Sequence, residues 1–245
     1  MAVHRRMDLA CAAARNAGLP GRFRVWRESG LLAVSVTSPA LGFLSTITGL
    51  DAENLTAAID LAVQRHDVRP TIVGPPPDAA STLTAAGFTQ VSDRGLAVRD
   101  VSGEPEQPAS GGVVPAGSPE EFVRVLLAGY RLTKPVDAEV AAFIAAEHRQ
   151  PEMLRFFVID SQKPIAAGAM SIHGDVAVLG GAATLPDRRS TGAQARLLHH
   201  RLQVAAEKGC ITAVSTVVPD SVSARNLRRA GFVVTERSAW RPPDG

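Results

Sequence analysis

The segment from Thr184 to Gln194 has the residue types of an anion-binding loop. It follows a β-rich stretch and leads into a stretch with helical periodicity, so it is predicted to end at a helix N-terminus. The first N–H groups of a helix have no partner within the helix, and the helix dipole adds partial positive charge. Gly192 permits close approach to that backbone, and Arg188 and Arg189 add charge. The loop suits a phosphate, with a solvated basic helix start as the alternative.

Two further side chains are candidates for proton transfer. Tyr130 is the only tyrosine and ends a predicted helix, and His173 stands beside Gly174 at a predicted strand end. The alternatives are a core position for Tyr130 and a surface turn for His173. Glu147 and His148 close another predicted helix, where such pairs are usually solvated.

No metal site and no disulfide framework are predicted. His199 and His200 are adjacent on a predicted helix, so their side chains point roughly 100° apart and make a poor ligand pair. The two cysteines, Cys11 and Cys210, are too few for a disulfide scaffold.

Local signals predict the elements that position these residues. Ser118 and Glu121 have the spacing of a capping box with Pro119 at the first helical position, and Gly209 is a usual helix stop. The predicted helices run over Pro119–Tyr130, from Asp137 onward, from Gly192 to Lys208, and over Ser221–Ala230. The predicted strands are Leu154–Asp160, Pro164–His173, Asp175–Leu185, Ile211–Val218 and Phe232–Glu236.

An internal repeat relates the two halves of the chain. Ala86-Gly87-Phe88 recurs 144 positions later as Ala230-Gly231-Phe232. The same offset, without gaps, superimposes Leu55–His66 on His199–Cys210, Thr71–Val73 on Ser215–Val217, and Pro76–Thr84 on Asp220–Arg228. The first half is also predicted to begin with the strands Phe23–Glu28, Gly30–Thr37 and Leu41–Gly49. The fold class is therefore α/β, with a mixed α+β sheet in two tandem modules.

The segment Val101–Gly117 is rich in Pro, Gly, Ser and Glu, as linkers are. We assign residues 1–100 to the first module, 101–111 to the linker and 112–245 to the second module. The longer loop before the last long helix distinguishes the second module from the first.

Composition excludes several classes of protein. The 245 residues are 45% hydrophobic, which argues against disorder. The net charge of +2 gives no basic patch for nucleic acid. No apolar run reaches the roughly 18 residues of a membrane span, and Asp8 interrupts the apolar Met7–Ala14 behind Arg5-Arg6, which argues against a signal peptide. We expect a cytoplasmic protein without membrane or nucleic-acid partners.

From Val113 to about Trp240 the chain resembles the GNAT family of acetyl-coenzyme A-dependent acetyltransferases. The family's Gln/Arg-x-x-Gly-x-Gly/Ala loop is matched from Arg189 to Ala193, with Gln194 where the last small residue usually stands. Leu-Pro-Asp at 185–187 and the segment from Ser223 to Phe232 also match.

The resemblance implies acetyl-coenzyme A as co-substrate and assigns its contacts. Backbone amides of one loop would hold the pyrophosphate: Arg189, Ser190, Thr191, Gly192, Ala193 and Gln194. Ala183, Thr184 and Leu185 would offer strand-edge backbone bonds to the pantetheine arm. Asn226 would reach that arm from the other side.

Two positions depart from the family pattern. The family often has a tyrosine as general acid where Leu227 stands, and a glutamate as general base where Gly180 stands. Neither role can be transferred to these residues. A thiol has a pKa of about 8.5, so a thiolate can leave with protonation by water, and strand amides can polarise a thioester. We therefore expect Leu227→Tyr to keep or raise the rate.

The expected function is acetyl transfer from acetyl-coenzyme A to a primary amine of a small molecule or peptide, directly within a ternary complex. The alternative is a non-catalytic acyl-coenzyme A-binding or protein-interaction module. Every predicted phosphate contact follows the linker, so an isolated Val113–Gly245 fragment is expected to keep coenzyme A binding.

The first half is expected to have another role. Asp51 and Glu53 replace the basic loop and would repel a pyrophosphate. This half would instead serve packing, the acceptor cleft or assembly, including a homodimer.

Overall fold

A computed structural model of the chain describes residues 1–64, 68–103, 112–132 and 137–243. The helices are α1 (Ala2–Asn16), α2 (Leu55–Val63), α3 (Ala80–Ala85), α4 (Pro119–Tyr130), α5 (Asp137–His148), α6 (Ala193–Glu207) and α7 (Val222–Arg229). The strands are β1 (Phe23–Glu28), β2 (Leu31–Val36), β3 (Thr46–Thr48), β4 (Thr71–Val73), β5 (Thr89–Asp100), β6 (Val113–Pro115), β7 (Leu154–Asp160), β8 (Lys163–His173), β9 (Val176–Thr184), β10 (Thr212–Val217) and β11 (Val233–Arg241).

The mixed α/β class is confirmed, and most elements lie where they were predicted. The strand predicted over Leu41–Gly49 is wrong in its first part, because Pro39–Leu44 forms a 3-10 turn and only β3 remains extended. Pro39 fixes φ and lacks the N–H that a strand ladder requires. Helix α1 and the short strand β6 were not predicted. The central part of the predicted linker, residues 104–111, lies outside the described residues.

Within the described residues the strands form one sheet, in the order β1-β2-β3-β4-β11-β5-β10-β9-β8-β7-β6. The final strands of the two halves are exchanged, since β11 lies beside β4 and β5 lies beside β10. The exchange preserves the repeat: Val73 pairs with Ala239, and their counterparts at the 144-residue offset, Val217 and Gly95, are also paired. The two halves therefore share a continuous sheet about a pseudo-twofold centre.

Helices cover both faces of the second half. Helices α6 and α7 pack over one face, where Leu197, Leu227 and Phe156 belong to one buried hydrophobic cluster. Helices α4 and α5 cover the other face. Helix α1, from the first half, joins them there, and Phe23 of β1 stacks on Phe143 of α5 with ring centroids 6.1 Å apart. The first half thus contributes a helix beside the second half's sheet.

Strands β9 and β10 separate along their length. They pair in parallel only where Thr212–Val214 meets Val176–Val178. From Leu179 onward, the described residues give β9 a ladder only on its β8 side. The separation leaves an open strand edge that leads to the start of α6.

A search of the described residues for a helix long and apolar enough to cross a membrane found none.

Candidate functional site

The loop before α6 has an open helix N-terminus. Ser190 and Gly192 adopt left-handed conformations, with φ of 64° and 76°. Gly192 caps α6 without any side-chain cap bond, whereas Ser118 and Ser221 cap α4 and α7 with their hydroxyls. No atom of the described residues lies within 4 Å of where a Cβ on Gly192 would stand. The first-turn N–H groups are therefore open to an anion.

The two loop arginines differ in their partners. Arg188 forms ion pairs with Asp160 at 3.0 Å and with Asp187 at 3.4 Å. Arg189 donates from Nη2 to the carbonyl of Gly129 at 3.0 Å. Because a carbonyl is neutral, Arg189 keeps a charge that no carboxylate among the described residues offsets, and it is better placed than Arg188 to act on a bound phosphate. The same hydrogen bond connects the loop to the end of α4.

The strand edge offers fewer backbone groups than the sequence suggested. Leu185 donates its N–H to Ile165 at 2.9 Å and accepts from the N–H of Arg188 at 2.9 Å. By the alternation of an antiparallel ladder, Ala183 also faces β8, whereas Ala182 and Thr184 present their backbone to the open edge. Contacts to a ligand therefore fit Ala182 and Thr184 better than Ala183 and Leu185.

A β-bulge interrupts β9 in the middle of this edge. The β8–β9 register shifts so that Gly181 has no direct partner, and its φ is 59°. A Cβ on Gly181 would overlap Nε2 of His148, and a Cβ on Gly180 would stand 2.9 Å from Nη2 of Arg6. The two glycines thus admit two side chains from other elements to the strand.

Arg6 and Glu147 form an ion pair over this bulge. Arg6 donates from Nε to Glu147 at 2.8 Å and from Nη1 to the carbonyl of Val178 at 2.9 Å. The two side chains are only 10% and 15% exposed. Burial raises the pKa of Glu147, but the charge of Arg6 and its hydrogen bond to the carboxylate outweigh burial and leave that pKa below its ordinary value. The carboxylate is therefore ionised at neutral pH.

His148 is a buried neutral imidazole. It is 2% exposed, stacks on Phe122, and its Nδ1 lies 2.8 Å from the carbonyl of Ile144. Since a carbonyl can only accept, Nδ1 carries the proton. Burial lowers the pKa of His148, and Nε2 has no hydrogen-bond partner among the described residues. The expectation that Glu147 and His148 are solvated is wrong.

Tyr130 lines the cleft instead of filling the core. Its side chain is 37% exposed, and its hydroxyl lies close to the N–H of Ala182. Desolvation of the hydroxyl, with a contribution from Glu147, raises the pKa of Tyr130 to about 12. The structure thus brings Tyr130 together with the bulge and the Arg6–Glu147 pair. The phenol of Tyr130 stays protonated at neutral pH.

The structure places His173 elsewhere. It pairs with Val176 at the β8–β9 hairpin and lies 2.9 Å from the hydroxyl of Ser171. His173 lies four residues along β8 from Ala169, which is opposite the bulge. At about 3.3 Å per residue this is about 13 Å, so the bulge and His173 are at different places along the strand.

Helix α7 supplies no acid at the expected position. Leu227 is buried, in a hydrophobic cluster that also contains residues of α6. The neighbouring Asn226 is half-buried, and its side-chain oxygen accepts from Arg229 at 3.2 Å. The described residues contain no cluster of His, Cys, Asp and Glu suited to a metal.

The first half closes the corresponding helix start with its own carboxylate. Asp51 accepts hydrogen bonds from the N–H groups of Glu53 and Asn54, at 2.9 and 3.0 Å. A carboxylate thus lies immediately before α2 and bonds two of the amides there, where it would repel an anion.

The sequence reasoning missed Arg6 as part of the site. Nothing in the sequence places α1 against α5, because that contact joins residues 141 positions apart. The pair Gly180-Gly181 inside a strand is the one available signal, since such glycines mark bulges and close approaches.

Comparison with known proteins agrees with this geometry. A model of the acetyltransferase (GNAT) family matches residues 121–232. No curated protein matches significantly.

Similar solved structures span nearly the whole chain. A GCN5-related N-acetyltransferase from Kribbella flavida is 22% identical, with a TM-score of 0.63, over 95% of this chain and 96% of that one. A GNAT-family acetyltransferase from Colwellia psychrerythraea is 14% identical, with a TM-score of 0.59, over 91% and 86%. A tandem GNAT protein from the clavulanic acid biosynthesis pathway is 13% identical, with a TM-score of 0.56, over 97% and 89%. At these identities the likeness establishes the fold, including its two GNAT-like modules.

Proposed function

Residues 121–232 match the GNAT acetyltransferase family, and on that premise we propose that the chain transfers an acetyl group from acetyl-coenzyme A to a primary amine. The amine is a small molecule or a peptide, and transfer is direct, within a ternary complex. The observation that carries the proposal is the open N-terminus of α6, which lies at the end of the open edge of β9.

The described residues fit coenzyme A at this position. The backbone from Arg189 to Gln194 presents the helix start to the pyrophosphate, and Arg189 adds a charge that is not neutralised by Gly129. Ala182 and Thr184 face the open edge, where the pantetheine arm would extend the sheet by backbone bonds. Asn226 remains a proposed contact from α7.

Acetyl-coenzyme A supplies an acetyl thioester, and the chain would position that thioester and polarise its carbonyl. The N–H of Ala182 is aimed at the open edge beside the bulge, where it can donate to a thioester carbonyl. The hydroxyl of Tyr130 lies next to that N–H and stays protonated. Tyr130 is therefore the proton donor that we propose for the leaving thiol, in place of the water expected from the sequence.

Calorimetry with acetyl-coenzyme A tests the binding site. We expect one site per chain, because the carboxylate of Asp51 lies just before α2 in the first half and would repel a pyrophosphate. Gly192→Asp should abolish detectable binding, since it places bulk and negative charge at the pyrophosphate. Gly174→Asp is the matched control: Gly174 also has a positive φ, of 68°, and no neighbour within 4 Å, but it lies at the β8–β9 hairpin. Equal affinity in both variants would remove the site assignment.

Thiol release over a panel of primary amines tests the activity. Turnover that depends on both co-substrates supports acetyl transfer. The alternative is a non-catalytic acyl-coenzyme A-binding or protein-interaction module. It is motivated by the two positions where the family often has its general acid and general base, because here they are the buried Leu227 and Gly180. Tight binding of acetyl-coenzyme A without turnover of any amine would favour that alternative.

A further inference from the structure

We propose that Glu147 is the base that takes the proton of the attacking amine, and that Arg6, on the first helix of the chain, is its positioning residue. The inference rests on the proposed acetyl transfer and deepens it. If it is correct, the acceptor side of the site contains residues from both halves of the chain.

The position of Glu147 comes from three contacts. Its carboxylate is held at 2.8 Å by Nε of Arg6, and the same guanidinium lies against Gly180 and bonds the carbonyl of Val178. Glu147 therefore lies over the bulge at the open edge of β9. It is near enough to Tyr130 to raise the pKa of that hydroxyl. A carboxylate and a phenol thus flank the same strand bulge.

The protonation states of these groups divide the roles between them. The pKa of Glu147 lies below its ordinary value because the charge and hydrogen bond of Arg6 outweigh burial, and the pKa of Tyr130 is raised to about 12 chiefly by desolvation. Two neighbouring groups whose environments move their pKa values apart are suited to act as base and acid. Cys11, on the same helix as Arg6 and near enough to Glu147 to feel its charge, stays a thiol because burial raises its pKa to about 12.

The proton balance of the step is complete with these two side chains. An ammonium acceptor first loses one proton to solvent. The neutral nitrogen then bonds to the acetyl carbon as the carbon–sulfur bond breaks. Its second proton passes to Glu147, directly or through one water, and the sulfur takes the proton of Tyr130. Exchange with solvent restores both residues.

His148 is the competing base. Its unprotonated Nε2 faces Gly181 without a partner among the described residues. It packs directly against the strand, however, and the structure leaves no space for a Cβ between them. Glu147, with 15% of its side chain exposed, is the more accessible group.

The first experiment compares Glu147→Gln with the wild type, using an amine that gives turnover. We expect kcat to fall by about 10²-fold or more, the usual contribution of a general base. The Kd for acetyl-coenzyme A should change by less than about threefold, because the phosphate loop is untouched. Arg6→Ala should likewise lower kcat and leave the Kd for acetyl-coenzyme A nearly unchanged. Arg5→Ala, on the exposed side of the same helix, is the matched control and should keep the wild-type kcat.

A second variant separates catalysis from folding. Removing one member of a buried ion pair leaves an unpaired charge and can unfold the chain, whereas replacing both members with apolar residues is often tolerated. We therefore expect Arg6→Met combined with Glu147→Leu to fold and bind acetyl-coenzyme A, yet to remain as slow as Glu147→Gln. A folded double variant with wild-type kcat would overturn the proposal.

The pH profile of kcat distinguishes the two bases. With Glu147 as base, the profile should show no acidic limb above about pH 5. An acidic limb that disappears in His148→Asn but persists in Glu147→Gln would identify His148 as the base and refute the proposal. A wild-type protein that binds acetyl-coenzyme A but acetylates no amine would instead refute the proposed function, before any variant is compared.

Discussion

Tyr130 shows, at the scale of single residues, how a side chain of ordinary type acquires a specific role from its surroundings. Gly129 makes this position available, since a Cβ there would stand 2.5 Å from that of Ala183 and force α4 away from β9. The approach brings the hydroxyl to the N–H of Ala182 and away from bulk water. The proposed acid is thus set by a close helix–strand contact.

Tyr130→Phe should reduce kcat by about 10² to 10⁴-fold, the range for loss of a general acid. The pKa of Tyr130 is raised to about 12, so the hydroxyl stays protonated and the defect should be constant from pH 6 to about pH 10. The raised pKa also means that stability from this group is present below about pH 10 and lost as the pH rises toward 12. Rate profiles and alkaline denaturation of both proteins provide the measurement. An unchanged kcat would mean that water, and not Tyr130, protonates the leaving thiolate.

Leu227→Tyr should destabilise the protein without raising the rate, which reverses the expectation from sequence. Leu227 is 5% exposed and belongs to a buried hydrophobic cluster that also contains residues of α6, and overpacking such a site costs about 1–3 kcal/mol. The midpoint of thermal unfolding should fall by about 2–4 °C per kcal/mol in a chain of this size. Leu227→Met conserves volume and serves as the control. A faster Leu227→Tyr enzyme would show that the side chain reaches the cleft.

At the scale of elements, the bulge in β9 organises the site. Gly181 adopts φ of 59°, and the missing Cβ leaves room for the imidazole of His148. The extra residue turns the edge so that Ala182 faces the cleft next to Tyr130. A regular strand of β-branched residues would be more stable locally and would exclude both His148 and Arg6.

Gly181→Ala should cost roughly 1–3 kcal/mol from backbone strain, with an added cost from overlap with Nε2 of His148. His148→Ala removes the overlapping ring, so the two substitutions together should cost less than the sum of the single effects, by about 0.5–3 kcal/mol. Chemical denaturation of the four proteins of this double-mutant cycle measures the coupling. Simple additivity would mean that the imidazole can move aside at no cost.

At the scale of the whole molecule, the exchanged strands make the halves interdependent. Strand β11 has β4 and β5 as its neighbours, and both belong to the first half. Strand β10 has β5 as its outer neighbour. The second half alone would therefore leave β11 without a ladder and β10 with an unpaired edge.

We expect the segments 1–103 and 112–245, produced separately, to remain largely unfolded and to regain structure when they are mixed. This reverses the expectation that Val113–Gly245 alone binds coenzyme A. Circular dichroism and calorimetry on each segment and on the mixture provide the test. The full chain cleaved within 104–111 after folding is the control and should still bind. An isolated second half that folds and binds would show that the exchange is dispensable.

The sequence by itself determined most of the elements and the candidate anion-binding loop. Helix α4 and the strands β1, β4 and β7 lie within the predicted bounds, because caps, glycines and hydrophobic periodicity act over a few neighbouring residues. The loop before α6 was recognisable for the same reason, since the anion site is made by consecutive backbone groups. The 144-residue repeat likewise predicted the order of elements in both halves.

Only the tertiary structure decided which side chains share the cleft. Arg6, Glu147 and Gly180 lie far apart along the chain and meet through the packing of α1 on α5 and β9. The exchange of β5 and β11 was also hidden, because the two strands descend from the same repeat and either could satisfy the same local pattern. Local signals specify each strand's periodicity but not its neighbour, and the choice is made by the register and side-chain packing of the complete sheet.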